Sequence, residues 1–169
     1  IEIYLKITYY THESITSGLF RTQVIDALKA AASQDQTKKY TIFVYNYFWL
    51  LIRNLRLIST LRNDLSKAGI RIRFFPILIP VKYALSSIVY FQLLKFYLQL
   101  VTYITYNRKA DVHHCRGYLL TYALTKNGLL SVIFDMRSLW VLENISAGNL
   151  DQVSSVCRLW FKLEKQCLL

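Results

Sequence analysis

Ala110–Asn144 reads ADVHHCRGYLLTYALTKNGLLSVIFDMRSLWVLEN. Two short apolar runs in it, around Val112 and from Leu129 to Phe134, have the β-branched and aromatic content of buried strands. Between them the spacing predicts a helix over Tyr118 to Lys126, closed by Asn127 and Gly128 as its C-terminal stop. Strand, helix and strand in that order make a parallel crossover unit. Each strand runs into a polar cluster that apolar packing does not require. His113, His114, Cys115 and Arg116 follow the first, and Asp135, Arg137, Trp140 and Glu143 follow the second. Open parallel sheets place ligands at the C-terminal ends of their strands.

The same alternation extends in both directions. Upstream, Ile3 to Tyr9 reads as a strand ending in THESITSG, then a helix with Leu19, Val24, Leu28 and Ala31 on one face. Gly18 is expected to allow a tight turn there. A glycine-bearing loop before a helix N-terminus can offer backbone N–H groups to an anion. The full GxGxxG pattern is absent, and an ordinary βα turn explains the residues as well. Tyr40 to Tyr45 predicts a second strand. A helix follows with Leu51, Leu55, Ile58 and Leu65 inward and Arg53, Arg56, Thr60, Asn63 and Lys67 on another side, closed by Gly69. The basic stripe fits an anionic membrane surface or simply a solvated face. Ile70 to Phe75 predicts a third strand, interrupted by Pro76 and Pro80.

Val81 to Tyr106 is long and apolar enough to cross a bilayer. Gln92, Lys95, Gln99 and Thr102 share one face, opposite Val89, Leu93, Phe96 and Leu100, which predicts an amphipathic helix instead. A lysine in mid-span would cost about 2.5–3.5 kcal/mol. Downstream, Asn149 with Gln152 has the capping-box pattern and predicts a last helix striped by Val153, Val156, Trp160, Leu163 and Cys167. The sum is α/β: a three-layer α/β/α Rossmann-like domain with a mainly parallel sheet of about five strands.

A chain of 169 residues predicts one domain, 1–169. It begins without methionine and stops within a helical pattern, which predicts a fragment of something larger. Charged residues make up 18% and apolar ones 54%, excluding a disordered chain. The net charge of +11 favours a polyanionic partner such as lipid headgroups, nucleotide phosphates or nucleic acid. Cys115, Cys157 and Cys167 form no CxxC pair, so neither a disulfide framework nor a zinc site is expected, and Cys115 reads as a packing residue. These features predict a cytoplasmic setting, with peripheral contact to a membrane.

Taken singly, the polar residues stay ambiguous. His113 and His114 point to opposite faces of a strand, so only one can meet a ligand. Asp135 and Arg137 share a face and can form a structural ion pair. Glu143 can be a solvated loop residue. Convergence on neighbouring strand ends favours a site.

At these residues the chain resembles the N-terminal domain of glycosyltransferase family 4, the retaining enzymes of the two-domain GT-B fold. ADVHHCRGY is similar to the family's Asp-hydrophobic-x-His-x-(His or Arg) strand end. IFDMRSLWVLE is similar to its hydrophobic-Asp-x-Arg-x-x-Trp-x-x-Glu segment, and SGLFRTQV to its first βα turn. The resemblance implies an acceptor-side domain of an enzyme that moves a sugar from a nucleotide sugar to a lipid-linked or polysaccharide acceptor. It implies His114, Arg116, Asp135 and Arg137 as the catalytic set and Ser17, Gly18, Arg21 and Glu143 as substrate-binding residues. No metal and no cofactor beyond the nucleotide-sugar donor are implied. Many members have histidine where this chain has Arg116, and an arginine stays protonated and cannot serve as a base. The family's C-terminal, donor-binding domain has no counterpart in the sequence, so the chain is expected to be inactive alone.

Two other classes compete. A basic α/β module for nucleic acid or an anionic membrane is the alternative, but no basic-aromatic motif of a nucleic-acid module is present. An integral membrane protein would need Val81–Tyr106 as a span.

Overall fold

The computed structural model describes residues 4–79, 84–128, 131–136 and 139–168. Its strands are β1 (Leu5–Thr11), β2 (Lys38–Tyr47), β3 (Arg71–Ile77), β4 (Val112–Arg116) and β5 (Val132–Asp135). They form one five-stranded parallel sheet in the order β3-β2-β1-β4-β5, flanked by helices. The expected α/β Rossmann-like class is what the chain adopts. The order steps outward from β1 to β3 and then returns to the other side of β1. This reversal is the topological switch at which open α/β sheets bind ligands. Residues divide into two compact units, Ile1–Leu78 with Asn107–His114 and Ile79–Tyr106 with Cys115–Leu169.

In the first unit, β1 and β2 pair with Leu5 opposite Lys38, and β2 and β3 with Thr41 opposite Arg71. Alternation along these strands sends Tyr9, Ile42, Val44 and Ile72 to one face. There they pack with Val24, Ile25, Leu28, Ile58, Leu61 and Leu65. Tyr10, Phe43, Tyr45 and Phe75 pack on the other face at ring separations of 5.1–5.3 Å, Tyr45 stacked on Phe75 and the other pairs edge to face. The strand continues through Pro76, where Ile70–Phe75 was expected to stop. β3 is an edge strand, and edges tolerate a residue without an N–H.

The first helix buries Val24 and Leu28 and packs Ala31 on the core, as expected, but not Leu19. It opens as α1 (Gly18–Phe20), widens into a π-helical stretch at Arg21–Asp26 and resumes as α2 (Ala27–Gln34). The wider turn brings Phe20 and Ile25, five apart, onto the buried side and leaves Leu19 exposed. After β2 come α3 (Phe48–Arg53) and α4 (Leu55–Lys67), where one helix was expected. Asn54 breaks it, its side-chain amide donating to the Leu50 carbonyl at 2.8 Å. Leu55 therefore faces solvent. Gly69 closes α4 at φ 72°, with the Ile70 N–H reaching the Leu65 carbonyl, as its position predicts.

The second unit contains α5 (Ile88–Thr105), α6 (Tyr118–Lys126), α7 (Trp140–Ser146) and α8 (Ser155–Leu168). The expected faces of α5 are reversed. Phe91, Leu94, Leu98 and Thr102 are buried, while Val89, Leu93, Phe96 and Leu100 are exposed. α5 is apolar on nearly every side, so spacing alone could not choose between them. Its length and composition would suffice to cross a membrane. Asn127, at the end of α6, donates to the Gln99 carbonyl and Thr102 Oγ1, both at 3.0 Å, and ties α6 to α5. Trp160 anchors α8: its ring lies 4.4 Å from Trp140 and 4.9 Å from Phe91, and its N–H donates to the Ala84 carbonyl.

The last helix starts later than Asn149. Gly148 at φ 71° and the Asn149 N–H bonded to the Asn144 carbonyl finish α7 instead. Ser154 Oγ accepts from the Cys157 N–H at 3.0 Å and caps α8, which leaves Val153 in solvent.

Candidate functional site

The strand-end residues are held by backbone devices in each unit. In the first, Asp111 accepts from the Lys6 N–H at 2.8 Å while its own N–H donates to the Lys6 carbonyl at the same distance. That exchange sets where β4 starts beside β1. The aspartate that opens ADVHH is thereby a structural residue. Asn107 donates from its side chain to Thr8 Oγ1 at 2.9 Å and from its N–H to Tyr10 Oη at 3.1 Å.

His113 and His114 take opposite faces, as strand alternation requires. His113 is buried, and its Nδ1 shares a 3.0 Å hydrogen bond with Tyr10 Oη. Burial lowers its pKa and keeps the imidazole neutral at pH 7. His114 is half-buried, with its ring 4.6 Å from Tyr9.

The loop after β1 is built by short side-chain bonds. Thr11 Oγ1 accepts from the Glu13 N–H at 3.1 Å, and the buried Asn46 donates to the Glu13 carbonyl at 2.7 Å. Ser17 is the N-cap of α1, accepting from the Phe20 N–H at 3.0 Å. Gly18 does not serve a tight turn. Its φ is not positive, and a Cβ placed on it would meet nothing within 4 Å. Arg21 is exposed and adds its charge to that of Lys29 in lowering the Asp64 pKa, with the 2.6 Å Lys29–Asp64 bond the larger cause.

In the second unit, Arg116 and Asp135 form an ion pair, Nη1 to Oδ2, at 3.3 Å. Arg116 is the last residue of β4 and Asp135 the last of β5, so the bond joins two strand ends. The arginine side chain is 6% exposed and the aspartate's 32%. A guanidinium held this way cannot move a proton, but it fixes a carboxylate that solvent and ligand hydroxyls can reach. Glu143 is exposed in the first turn of α7, not in a loop. Arg137 lies outside the described residues. Cys115 is fully buried, and burial pushes its thiol pKa up, which suits packing.

Three residues here were not singled out from the sequence. Gly117 connects β4 to α6 at φ 105° and ψ 139°, a conformation open to glycine, and its place between strand end and helix start was the available signal. Tyr118 and Glu164 form a buried pair that sequence gives no reason to suspect. Burial and the hydrogen bond to Glu164 raise the Tyr118 pKa, so the phenol keeps its proton and donates it. Glu164 also accepts from the Val141 N–H at 3.5 Å.

A recess of about 210 Å³ opens among α5, α6 and α8, with Lys95, Tyr122 and Lys162 on its wall, and contains none of the predicted residues. Among the described residues, no group of three or more His, Cys, Asp or Glu side chains could hold a metal ion. No family model matches the chain, and no curated protein matches it.

Proposed function

We propose that the chain is the acceptor-side domain of a retaining glycosyltransferase, acting on a nucleotide sugar and a lipid-linked or polysaccharide acceptor. One observation carries it: in a sheet ordered β3-β2-β1-β4-β5, the Arg116–Asp135 pair occupies the C-terminal ends of β4 and β5. Ligands of open parallel sheets are bound at such ends. The residues are also those at which the sequence resembles the glycosyltransferases.

In this reading Asp135 accepts a hydrogen bond from a sugar hydroxyl. Arg116 is a positioning residue whose 3.3 Å ion pair orients the carboxylate. His114, half-buried with its ring 4.6 Å from Tyr9, keeps the role that the resemblance implies. Arg137, Ser17, Gly18, Arg21 and Glu143 keep the roles that the resemblance implies. The donor's nucleotide would be held chiefly by a second domain, so the chain by itself is proposed to bind and not to transfer.

Saturation-transfer NMR tests this on the chain as it stands. Oligosaccharides or nucleotide sugars should receive saturation, and Asp135→Ala should weaken it. If nucleic acid binds and no sugar does, the alternative of a basic binding module replaces the proposal.

A further inference from the structure

We propose that Phe48–Arg56 is a docking surface for an anionic lipid bilayer. The chain leaves β2 at its C-terminal end and enters α3, where the side chains divide sharply. Leu50 and Leu51 pack against the core of the first unit. Phe48, Trp49, Ile52 and Leu55 point outward at 46%, 50%, 51% and 62% exposure. Single exposed apolar residues are ordinary on soluble surfaces, but four large ones within eight positions are not. The Asn54 break produces the cluster. It ends α3 and restarts the helix so that Leu55 turns outward, away from the core stripe that Ile58, Leu61 and Leu65 occupy.

Charge decides the occupant. Arg53 and Arg56 are exposed within the same segment. Between Asp35 and Asp111 the sequence has one acidic residue, Asp64, and it is held by Lys29 at 2.6 Å. A protein partner with an apolar groove would not need this wide exclusion of carboxylates. An anionic bilayer does: aromatic and aliphatic side chains enter the interface while arginines meet the phosphates. Trp49, stacked on Tyr47 at 6.0 Å with the rings 4° from parallel, presents an amphipathic ring suited to headgroup depth. The surface lies wholly in the first unit and stands or falls independently of sugar transfer.

The test is co-sedimentation of the full chain with vesicles of phosphatidylcholine alone or mixed with phosphatidylserine, at low and high salt. The chain should pellet with the anionic vesicles only, and salt should release it. Trp49→Ala combined with Ile52→Ala should weaken binding by about tenfold or more. Arg53→Gln and Arg56→Gln should each weaken it by about fivefold. These side chains are exposed, so circular dichroism should show every variant folded. Anionic vesicles should also shift the tryptophan emission to the blue, and Trp49→Phe should abolish that shift while preserving binding. Absence of binding, equal binding to neutral vesicles, or binding indifferent to these substitutions overturns the proposal. So does a lipid-free dimer that Trp49→Ala dissociates, or RNA binding that depends on the arginines and not on Trp49.

Discussion

Arg116 Nη1 lies 3.3 Å from Asp135 Oδ2, and the bond joins the C-terminal ends of β4 and β5. The two partners are unequally buried, 6% against 32% exposed. That inequality determines what each deletion does.

Removing the carboxylate leaves a buried guanidinium without it, whereas removing the guanidinium leaves a carboxylate that water reaches. Asp135→Ala should therefore cost about 2–3 kcal/mol and Arg116→Met about 1 kcal/mol or less. Urea unfolding of the two variants measures this, and equal costs would show that burial does not set the asymmetry.

The two loop glycines should behave oppositely. Gly117 sits at φ 105°, so Gly117→Ala should destabilise by about 1–3 kcal/mol. Gly18 begins α1 without a positive φ and with open space around it, so Gly18→Ala should be neutral or stabilise by a few tenths of a kcal/mol. Thermal melts separate these outcomes. Loss of sugar binding in a fully stable Gly18→Ala would show that the open space serves a ligand.

His113 predicts an acid-sensitive fold. Its folded pKa lies below the ordinary 6.5 because burial disfavours the charged ring. The unfolded chain then binds a proton first as pH falls. Stability from this group is complete above about pH 6.5 and is lost as pH drops toward the lowered folded pKa. Melting temperature measured from pH 8 to pH 5 should fall in that window, and His113→Gln should flatten the slope.

The thiols should be inert in the folded chain. Burial pushes Cys167 from 9.0 up to about 12, which cuts the thiolate at pH 8 by roughly a thousandfold. Cys115 and Cys157 are buried and also raised, by desolvation. Iodoacetamide labelling at pH 8 should be far slower in buffer than in denaturant. A fast-labelling cysteine in the native chain would contradict the burial described.

Where local signals were strong and unopposed, the sequence was legible. The helix Tyr118–Lys126 carries its own glycine stop, and it formed with those ends. The strand positions followed from β-branched and aromatic density, and the alternation of His113 and His114 followed from the strand itself. What escaped depended on competition between neighbours. Asn149 had the residues of a capping box but spends its N–H on closing α7, so Ser154 caps α8. α5 is apolar nearly all round, so only the packing of Phe91, Leu94 and Leu98 identifies its inner face. A π-helical stretch shifted the face at Leu19, and Asn54 turned Leu55 outward; neither has a periodicity signal. Within the candidate site, the strand-end residues could be picked out by type. The buried Tyr118–Glu164 pair could not, because a glutamate on an amphipathic helix ordinarily reads as solvated.

The stereochemistry of sugar transfer tests the proposed function most directly. With the full-length product of the gene, a panel of nucleotide sugars and a lipid-linked acceptor, proton NMR of the early product should show the donor's anomeric configuration retained. Asp135→Ala should lower kcat/KM by about a hundredfold through lost positioning of the sugar. An inverted product, or no transfer from any nucleotide sugar, would contradict the account.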